Sequence, residues 1–568
     1  MISTPGSWGP SLSPSERKAL DPGATRPWSR WPALNRRWLG LVAATLLLAG
    51  AMYIAQEFGN QLEIGSIHND DSRYAVLATS LATGRGYRLV NLPEAPAETA
   101  YPPFYPLFLA LIRLLLPHSF AALKTGSVLL TLAVLLLLAL ELRHARKGLA
   151  WIVLLLFALH PQVVLFATMA LSEPLFLLLI LLAFRRIRLY FAGRPLQWFP
   201  LITASVVIAL AYLTRFVGIV LIPTTFLYGC LQRKGRQALV LIAAAVILCL
   251  PWTIRNHGLT GHLFLPEQEE VWASGRVESS QDASLRPDAT LTGRFRLFEN
   301  NAVTYLTELI PTTVGRVLSS SWLERVAESG RMKGILTLLR LSVPGLILLG
   351  ITSRWRASRT VDLPEILSLL YVPGIMLWPY VQQGRFLYPV LPFLLLYFYV
   401  GVDAVAAPIV GRLFKNRAKA AVAAALAAIT LILLIPNLRE DIRRAWTDPI
   451  ARYTPRIAPA GVWLAQHTPA NAVVMAEYPS WLYLYSGRRT RPLTGSTPCN
   501  LEDVVASDAD YIVVGPAQQW SVQPAPSAFA TECLLPALAR ERNRYELLFS
   551  SEGRALWVFR NQRQAEDE

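Results

Sequence analysis

Eleven runs of mostly apolar residues follow one another between about residues 38 and 436, separated by short polar segments. An α-helix needs about twenty apolar residues to cross the hydrocarbon core of a bilayer. We therefore predict eleven membrane spans, at about 38–57, 122–142, 149–167, 170–187, 198–213, 216–231, 237–252, 334–352, 363–380, 386–408 and 418–436. The apolar stretch 102–117 is bounded by prolines and contains Arg113, so it is either a twelfth span or a helix at the membrane interface.

The basic residues orient these spans. With the N-terminus in the cytoplasm and 102–117 not crossing, the short cytoplasmic segments hold 23 Lys and Arg residues. The opposite side holds seven, apart from the long loop 253–333. Because cytoplasmic loops of membrane proteins carry such an excess, we predict a cytoplasmic N-terminus and an extracytoplasmic C-terminus.

The polar segments define the domains. A cytoplasmic tail, 1–37, precedes a membrane domain, 38–436, and three polar regions share the extracytoplasmic face, at 58–121, 253–333 and 437–568. The last region alternates helical patterns with strand patterns: Gly461–His467, Ala472–Ala476, Trp481–Tyr485, Tyr511–Val514, Tyr545–Phe549 and Ala555–Phe559. This alternation predicts a small α/β domain of about 120 residues.

Composition agrees with a membrane protein. Of the 568 residues, 53% are hydrophobic and 16% are charged, with a mean hydropathy of +0.37. These values exclude an intrinsically disordered chain and argue against a soluble enzyme. The net charge of +16 would suggest nucleic acid in a soluble protein, but here the basic residues lie beside apolar runs, where they meet anionic lipid. We expect membrane lipids as partners and no nucleic acid.

The four cysteines are too few for a disulfide scaffold, and their spacing fits no structural zinc site. Cys230 and Cys249 lie inside apolar runs. Cys499 and Cys533 lie in the predicted exterior domain, where the compartment is oxidising. We therefore predict a disulfide between Cys499 and Cys533.

Asp70 and Asp71 form an adjacent acidic pair just after the first span. Neighbouring carboxylates disfavour each other's ionisation, so one of them can titrate high enough to act as a base. The alternative interpretation is that Asn69-Asp70-Asp71-Ser72 only caps a helix, with acids in its first turn. Arg73 and Tyr74 then open a helical pattern that fits the membrane surface.

Other polar residues lie near the ends of predicted spans. Glu173 begins span four, and an acid within a bilayer is costly and marks a functional candidate. Arg215 is either an interfacial anchor or a phosphate ligand. Arg255 and His257 follow span seven, and Arg385 lies in a short exterior turn. A lone histidine at such a place is more often structural than a metal ligand.

Seven motifs follow in order along about residues 38–400: Asp70-Asp71-Ser72-Arg73-Tyr74-Ala75, Ala82-Thr83-Gly84-Arg85-Gly86-Tyr87, Tyr101-Pro102-Pro103-Phe104-Tyr105-Pro106, Leu171-Ser172-Glu173-Pro174-Leu175-Phe176, Leu213-Thr214-Arg215-Phe216, Pro251-Trp252-Thr253-Ile254-Arg255-Asn256 and Gly384-Arg385-Phe386-Leu387-Tyr388-Pro389. In this order they resemble the GT-C class of membrane glycosyltransferases. The likeness is to bacterial relatives of protein O-mannosyltransferases and of the lipid A aminoarabinose transferase (glycosyltransferase family 39-like). It implies an α-helical GT-C fold in the bacterial inner membrane, with a C-terminal exterior α/β domain.

The resemblance also implies an activity. A hexosyl- or pentosyltransferase of this class would move a sugar, with inversion, from a polyprenyl-phosphate donor to a hydroxyl of a glycan, lipid or protein acceptor. By the same resemblance Asp70 matches the catalytic base or acceptor-positioning group, with Asp71 at the neighbouring acidic position, and both are catalytic candidates. Substrate is expected to contact Arg73, Tyr74, Tyr101, Glu173, Arg215, Arg255 and Arg385. A rim arginine, with or without a divalent cation, would neutralise the leaving phosphate; Asp70 and His257 are the candidate ligands of such a cation.

One motif departs from the aminoarabinose transferases. They resemble each other at a Glu-Lys-Pro-Pro step, where this chain has Ala100-Tyr101-Pro102-Pro103. In those enzymes the Lys and Glu serve donor and metal binding, so neither role carries over. The departure argues against aminoarabinose transfer to lipid A and leaves the sugar, the acceptor and the metal open.

Two other classes of protein remain as alternatives. A transporter or flippase of lipid-linked glycans would place charged residues deep in several spans, whereas spans two, nine and eleven have almost none in their middles. In a non-enzymatic cell-envelope assembly protein, Asp70 and Asp71 would be only a cap. The sequence contains no P-loop or Gly-x-Ser-x-Gly motif, so nucleotide-driven transport and hydrolase chemistry lack support.

Overall fold

The structure is a computed structural model, in which the described residues are 36–59, 70–117, 119–143, 147–193, 197–262, 291–315, 330–378, 381, 383–414, 418–442, 457–493, 508–515, 529–551 and 556–562. These residues form a bundle of α-helices followed by a small mixed sheet. The helices of the bundle pack into one continuous apolar core, and the sheet has a smaller core on each face.

In chain order the helices of the bundle are α1 (Arg36–Gly59), α2 (Asp70–Ala82), α3 (Phe104–Leu115), α4 (Phe120–Leu142), α5 (Lys147–Ala158), α6 (Pro161–Ala167), α7 (Glu173–Ala192), α8 (Trp198–Thr214), α9 (Leu221–Leu231), α10 (Gly235–Thr260), α11 (Leu291–Thr304), α12 (Ile310–Val314), α13 (Gly330–Ser358), α14 (Leu363–Met376), α15 (Leu391–Phe414) and α16 (Ala418–Ile442). Two 3-10 turns, Phe216–Val220 and Gln383–Leu387, and a π turn, Tyr305–Leu309, interrupt the series.

Each predicted apolar run falls on a helix of the bundle. By length and composition, six helices in the described ranges are able to cross a membrane, namely α1, α4, α10, α13, α15 and α16. Helices α5 and α6 pass the same test together, as one span bent by 56°. Helices α8 and α14 are apolar but have only 17 and 14 residues. The polytopic helical fold is therefore confirmed, and the number of eleven spans stays a prediction.

Helix α3 accounts for the stretch 102–117, which the sequence left open. Its 12 residues rise roughly 18 Å, well short of the ~30 Å thickness of the hydrocarbon core. One face buries Tyr105 and Arg113, whereas Leu107 and Leu111 on the other face are exposed. A short helix with one buried face and one exposed apolar face is more typical of a helix at the membrane interface than of a membrane span.

Two glycines let α13 and α15 cross closely. A Cβ on Gly350 would overlap the backbone carbonyl of Tyr397, and one on Gly401 would overlap that of Leu346. Small residues allow helices in a membrane to approach in this way. Because α15 begins at Leu391, four positions after the turn Gln383–Leu387 ends, the crossing also helps to position that turn.

The C-terminal unit consists of α17 (Ala458–His467), β1 (Val473–Ala476), α18 (Pro479–Ser486), β2 (Arg489–Pro492), β3 (Tyr511–Val514), a π turn (Phe529–Leu534), α19 (Leu535–Arg540), β4 (Tyr545–Ser551) and β5 (Leu556–Asn561). The strand order is β2-β1-β3-β5-β4. Strand β1 pairs in parallel with β2 and with β3, whereas β5 pairs antiparallel with β3 and with β4. The predicted α/β pattern is confirmed, whereas β2 and α19 were not predicted. Strand β2 reads Arg-Thr-Arg-Pro and has no apolar alternation to reveal it.

The free edge of β2 contacts the loop between α2 and α3. The backbone N–H of Thr490 donates to the carbonyl of Asn91 at 2.6 Å, and the Asn91 amide lies 3.4 Å from the Thr490 hydroxyl. Next along the strand, Arg491 pairs with Glu94 at 2.7 Å and with Asp508 at 2.6 Å. The sheet therefore adjoins the bundle at the loop that leads into α3.

The cysteines and the long exterior loop are only partly described. Cys533 is disulfide-bonded, whereas Cys230 and Cys249 are free. Cys499 lies outside the described residues, so the pairing of Cys499 with Cys533 stays a prediction. Most of the predicted loop 253–333 also lies outside them.

Candidate active site

Five segments meet at one end of the bundle: the start of α2, the loop after it, the start of α7, the end of α8 and the 3-10 turn before α15. They carry Asp70, Tyr101, Glu173, Arg215 and Arg385. Each of these residues lies at or beyond a helix end. Proline in the first turn of α7 starts that helix at Glu173, and Arg215 has an extended backbone (φ −146°, ψ 130°) that ends α8.

Asp70 is held by two partners. Its Oδ1 accepts a hydrogen bond from the Tyr101 hydroxyl at 2.5 Å, and its Oδ2 pairs with Nη2 of Arg385 at 2.6 Å. The Asp70 side chain is still 20% exposed. Each carboxylate oxygen can accept two hydrogen bonds. The partly exposed Asp70 carboxylate therefore has acceptor capacity left for a substrate hydroxyl.

Glu173 holds two arginines. Its Oε1 pairs with Nη1 of Arg215 at 2.8 Å and with Nε of Arg385. The Glu173 side chain is 1% exposed, and among the described residues its Oε2 has no hydrogen-bond partner. Burial disfavours the charged form of Arg385, but the carboxylates of Glu173 and Asp70 offset this and hold the pKa of Arg385 well above its ordinary value. Arg385 thus links Asp70 to Glu173.

Arg215 keeps hydrogen-bond donors for a ligand. Its Nη1 donates to the Ser172 hydroxyl at 2.9 Å as well as to Glu173, and the Tyr74 hydroxyl lies 3.1 Å from that of Ser172. Within the part of the chain that the structure describes, Arg215 makes these contacts through Nη1. A guanidinium carries five N–H donors, so Arg215 is equipped to bind an anion while it stays paired with Glu173.

A second ion pair orients Tyr101. Arg73 donates from Nε and Nη2 to the two carboxylate oxygens of Glu98, at 2.8 and 3.1 Å, and its guanidinium lies 4.5 Å from the Tyr101 ring centroid. The buried Glu98 also accepts from the backbone N–H groups of Ala100 and Tyr101. Burial, and then the charge of Asp70, raise the pKa of Tyr101 well above its ordinary value, so its hydroxyl stays protonated as the donor to Asp70.

Arg255 contacts the same loop from α10. Its Nη1 donates to the carbonyl of Glu98 at 2.9 Å, and its guanidinium lies 5.0 Å from the Trp252 ring centroid. The next residue, Asn256, donates to the carbonyl of Thr99 at 2.9 Å. These contacts give Arg255 a part in holding the loop, and its role as a phosphate ligand stays a prediction.

Asp71 lies in the first turn of α2, and the capping interpretation of the acidic pair stays a prediction. The Oδ1 of Asp71 accepts from the backbone N–H of Ser72 at 2.8 Å, and the residue is buried. Asp70 differs, because its side chain contacts Tyr101 and Arg385 in other segments. The two neighbouring acids therefore have different surroundings.

The metal prediction is not tested by these contacts. Within the described ranges, no group of three or more His, Cys, Asp and Glu side chains is arranged to hold a metal ion. His257 is exposed on α10. A divalent cation at Asp70 or His257 therefore stays a prediction.

Sequence reasoning missed two supporting residues. The sequence contains only one indication that Glu98 belongs to the site, which is its position two residues before the Ala100-Tyr101-Pro102-Pro103 motif. Gln162, on α6, lies against Gly384, where an added Cβ would overlap the Gln162 amide. Because Gly384 directly precedes Arg385, this contact fixes the turn that carries the arginine.

Together these contacts bring a partly exposed carboxylate beside arginines that are held by a buried glutamate, at one end of a polytopic helical bundle with an appended α/β unit. The chain has the GT-C fold of membrane glycosyltransferases. ArnT from Cupriavidus metallidurans bound to undecaprenyl phosphate is similar with a TM-score of 0.56 and 11% identity, over 92% of this chain and 98% of ArnT.

A second solved protein has the same fold. The oligosaccharyltransferase of Archaeoglobus fulgidus in complex with Zn and sulfate gives a TM-score of 0.53 at 15% identity, over 91% of this chain and 73% of the other. Archaeal oligosaccharyltransferase AglB from Archaeoglobus fulgidus, in complex with an inhibitory peptide and a dolichol-phosphate, gives 0.50 at 14%, over 92% and 74%. No protein-family profile and no curated protein sequence matches the chain.

Proposed function

We propose that the protein transfers a sugar from a polyprenyl-phosphate-linked donor to an acceptor hydroxyl at the outer face of the bacterial cytoplasmic membrane, with inversion. The observation that carries the proposal is the contact of Asp70, a partly exposed carboxylate, with Arg385, an arginine that Glu173 also holds. The solved structures with undecaprenyl phosphate and dolichol-phosphate support a lipid-linked donor.

The reaction needs a base on the acceptor. In the proposed step Asp70 takes the proton of the acceptor hydroxyl while its oxygen attacks the anomeric carbon of the sugar. The bond from that carbon to the phosphate oxygen breaks, and polyprenyl phosphate leaves with the bonding electrons. A single displacement of this kind inverts the anomeric centre.

The reaction also needs positive charge on the leaving phosphate. Arg215 suits this part because its contacts with Glu173 and Ser172 are made through Nη1, and a guanidinium carries five N–H donors. Guanidinium groups bind phosphate through two parallel hydrogen bonds. Donors that are already oriented stabilise charge in the transition state without reorganising. Glu173 therefore serves in the proposal as the residue that orients both Arg215 and Arg385.

The test is transfer of radiolabelled sugar from a panel of polyprenyl-phosphate sugars in vesicles, with membrane extract as the source of acceptors. Asp70→Asn keeps the side-chain volume but removes the base, so we expect transfer to fall roughly 10²- to 10⁴-fold. The melting temperature of the purified variant should stay near that of the wild type. The anomeric configuration of the product, read by NMR, tests inversion separately.

Asp71→Asn is the matched control, because Asp71 is the neighbouring acid and is 2% exposed. It should retain most of the transfer. Wild-type rates in the Asp70→Asn variant would reject Asp70 as the base. A wild-type protein that neither transfers sugar nor binds undecaprenyl phosphate would reject the lipid-linked donor itself.

A further inference from the structure

Ser172 stands where a helix-capping residue is expected, directly before α7, but its hydroxyl does not cap that helix. A serine at this position normally accepts a hydrogen bond from a backbone N–H of the first turn. Here Ser172 has a helical backbone (φ −77°, ψ −11°), and Pro174 in the first turn has no N–H to give. The hydroxyl of Ser172 is therefore available for contacts outside its own helix.

Two other segments contact this buried hydroxyl. Nη1 of Arg215, just after the end of α8, donates to it at 2.9 Å, and the Tyr74 hydroxyl, on α2, lies 3.1 Å away. Hydrogen bonds from a charged donor are stronger than those between neutral groups. Of the two contacts, the one with Arg215 therefore contributes more. Natural proteins give up a local preference of this kind mainly at functional sites.

The same nitrogen of Arg215 is held by two neighbouring residues. Nη1 lies 2.8 Å from Oε1 of Glu173 and 2.9 Å from the Ser172 hydroxyl. A guanidinium is a rigid plane, and one contact alone would leave that plane free to turn about the contact. Two contacts on one nitrogen fix the direction of the plane as well as its position. Ser172 and Glu173 therefore set together where the guanidinium of Arg215 points.

Ser172 also closes a ring of polar contacts around the candidate site. The ring starts at Asp70 and returns, through Tyr74, to the same helix one turn later. Residues four apart on a helix are neighbours on one face, so α2 completes the ring. Its members in order are Asp70, Arg385, Glu173, Arg215, Ser172 and Tyr74. Loss of the Ser172 hydroxyl would open the ring beside Arg215 and leave the pairing of Asp70 with Arg385 in place.

We propose that Ser172 is a positioning residue that directs Arg215 toward the phosphate of the lipid-linked donor. The inference rests on the proposed function, in which Arg215 stabilises the leaving phosphate. Donors that are oriented in advance need no reorganisation when charge develops on that phosphate. In the same proposal Asp70 engages the acceptor from another part of the ring. A change at Ser172 therefore acts on the donor and spares the acceptor.

The test compares Ser172→Ala with the wild type, using the full chain in detergent micelles. The affinity for radiolabelled undecaprenyl phosphate is measured together with kcat and KM for donor and acceptor. We expect Ser172→Ala to bind undecaprenyl phosphate roughly tenfold more weakly, because the charge-assisted contact that orients Arg215 is lost. The donor kcat/KM should fall at least as much, whereas the acceptor KM should change little.

Further variants separate positioning from packing, and the melting temperature is recorded for each. Ser172→Thr keeps the hydroxyl and should retain most of the affinity for undecaprenyl phosphate. Ser127→Ala is the matched control, because it removes another buried serine hydroxyl, whose partner at 3.3 Å is the Tyr105 hydroxyl. Its affinity should stay near that of the wild type. If Ser172→Ala does not fold, Ser172→Cys takes its place, since a thiol is only a weak acceptor.

Two results would overturn the inference and leave the proposed function standing. One is a Ser172→Ala variant that binds undecaprenyl phosphate as tightly as a wild type that transfers sugar. The other is a loss of affinity in Ser127→Ala as large as that in Ser172→Ala. A wild type that does not bind undecaprenyl phosphate would reject both this inference and the lipid-linked donor.

Discussion

Arg385 contacts two carboxylates at once, and this shapes how the proposed reaction would begin. A buried guanidinium loses several kcal/mol of hydration, which ion pairs regain only with good geometry. Arg385 meets that need with Asp70 at one end and Glu173 at the other. A donor phosphate that binds Arg385 would compete with Asp70, and the released carboxylate would then be available for the acceptor hydroxyl.

The hydroxyl of Tyr101 has a measurable part in this arrangement. Tyr101→Phe keeps the ring under the Arg73 guanidinium and removes only the hydrogen bond to Asp70. Without this bond the Asp70 carboxylate is held less firmly in the position from which it accepts the proton, so we expect transfer to slow roughly ten- to hundredfold. The measurement is kcat and KM for the lipid-linked donor.

Tyr105→Phe is the control, because it removes another buried hydroxyl, whose partner is the Ser127 hydroxyl at 3.3 Å and not Asp70. Its kcat should stay within about threefold of the wild type, as expected for the loss of a neutral hydrogen bond. Equal kcat losses in the two variants would mean that Tyr101 acts only through packing.

At the scale of elements, the sequence predicted the helices better than the contacts between them. Apolar runs place the helices, because crossing a membrane demands long apolar segments. Asp70 and Arg385 pair although they lie far apart in the sequence, and the apolar pattern does not predict which segments come together in space. Glu98 and Gln162 were missed for the same reason, since each acts through contacts with other parts of the chain and belongs to no local pattern.

The turn before α15 gives a test at this scale. Gly384→Ala would force its Cβ against the amide at the end of the Gln162 side chain, which yields part of the overlap while the turn that carries Arg385 takes up the rest, so we expect transfer to fall a few-fold. Gln162→Ala alone should change transfer little, and Gly384→Ala/Gln162→Ala should recover most of it. The readout is the transfer rate of all four proteins, each with its melting temperature.

A double-variant cycle makes this test decisive, because residues in contact give coupling energies of about 0.5–3 kcal/mol. Recovery in the double variant would show that the overlap itself disturbs the turn. Additive effects of the two substitutions would show instead that Gly384 and Gln162 act independently.

At the scale of the whole molecule, the C-terminal sheet borders the loop that carries Tyr101. The N–H of Thr490 points to Asn91 and away from β1, so proline at this position removes the contact with the loop and spares the sheet. We expect Thr490→Pro to speed amide hydrogen exchange in residues 88–101. Exchange in β4 and β5 should stay unchanged.

Thr490→Ala keeps the backbone N–H and loses the hydroxyl, which lies 3.2 Å from the Asn91 carbonyl and 3.1 Å from that of Pro479. Its exchange in residues 88–101 should therefore lie between those of the wild type and Thr490→Pro. Transfer in Thr490→Pro should fall several-fold, because a looser loop holds Tyr101 less firmly beside Asp70. Unaltered exchange in residues 88–101 of Thr490→Pro would mean that the sheet does not stabilise this loop.

The contact between Asn91 and Thr490 also sets the order of events during synthesis. The two residues are 399 positions apart, and at about 5–20 residues per second the ribosome needs roughly 20–80 s to travel from one to the other. During that interval the first loop has no strand to rest against. In the proposed function, a nascent chain would therefore carry an unsupported first loop until its C-terminal sheet had folded, and transfer activity would appear only then.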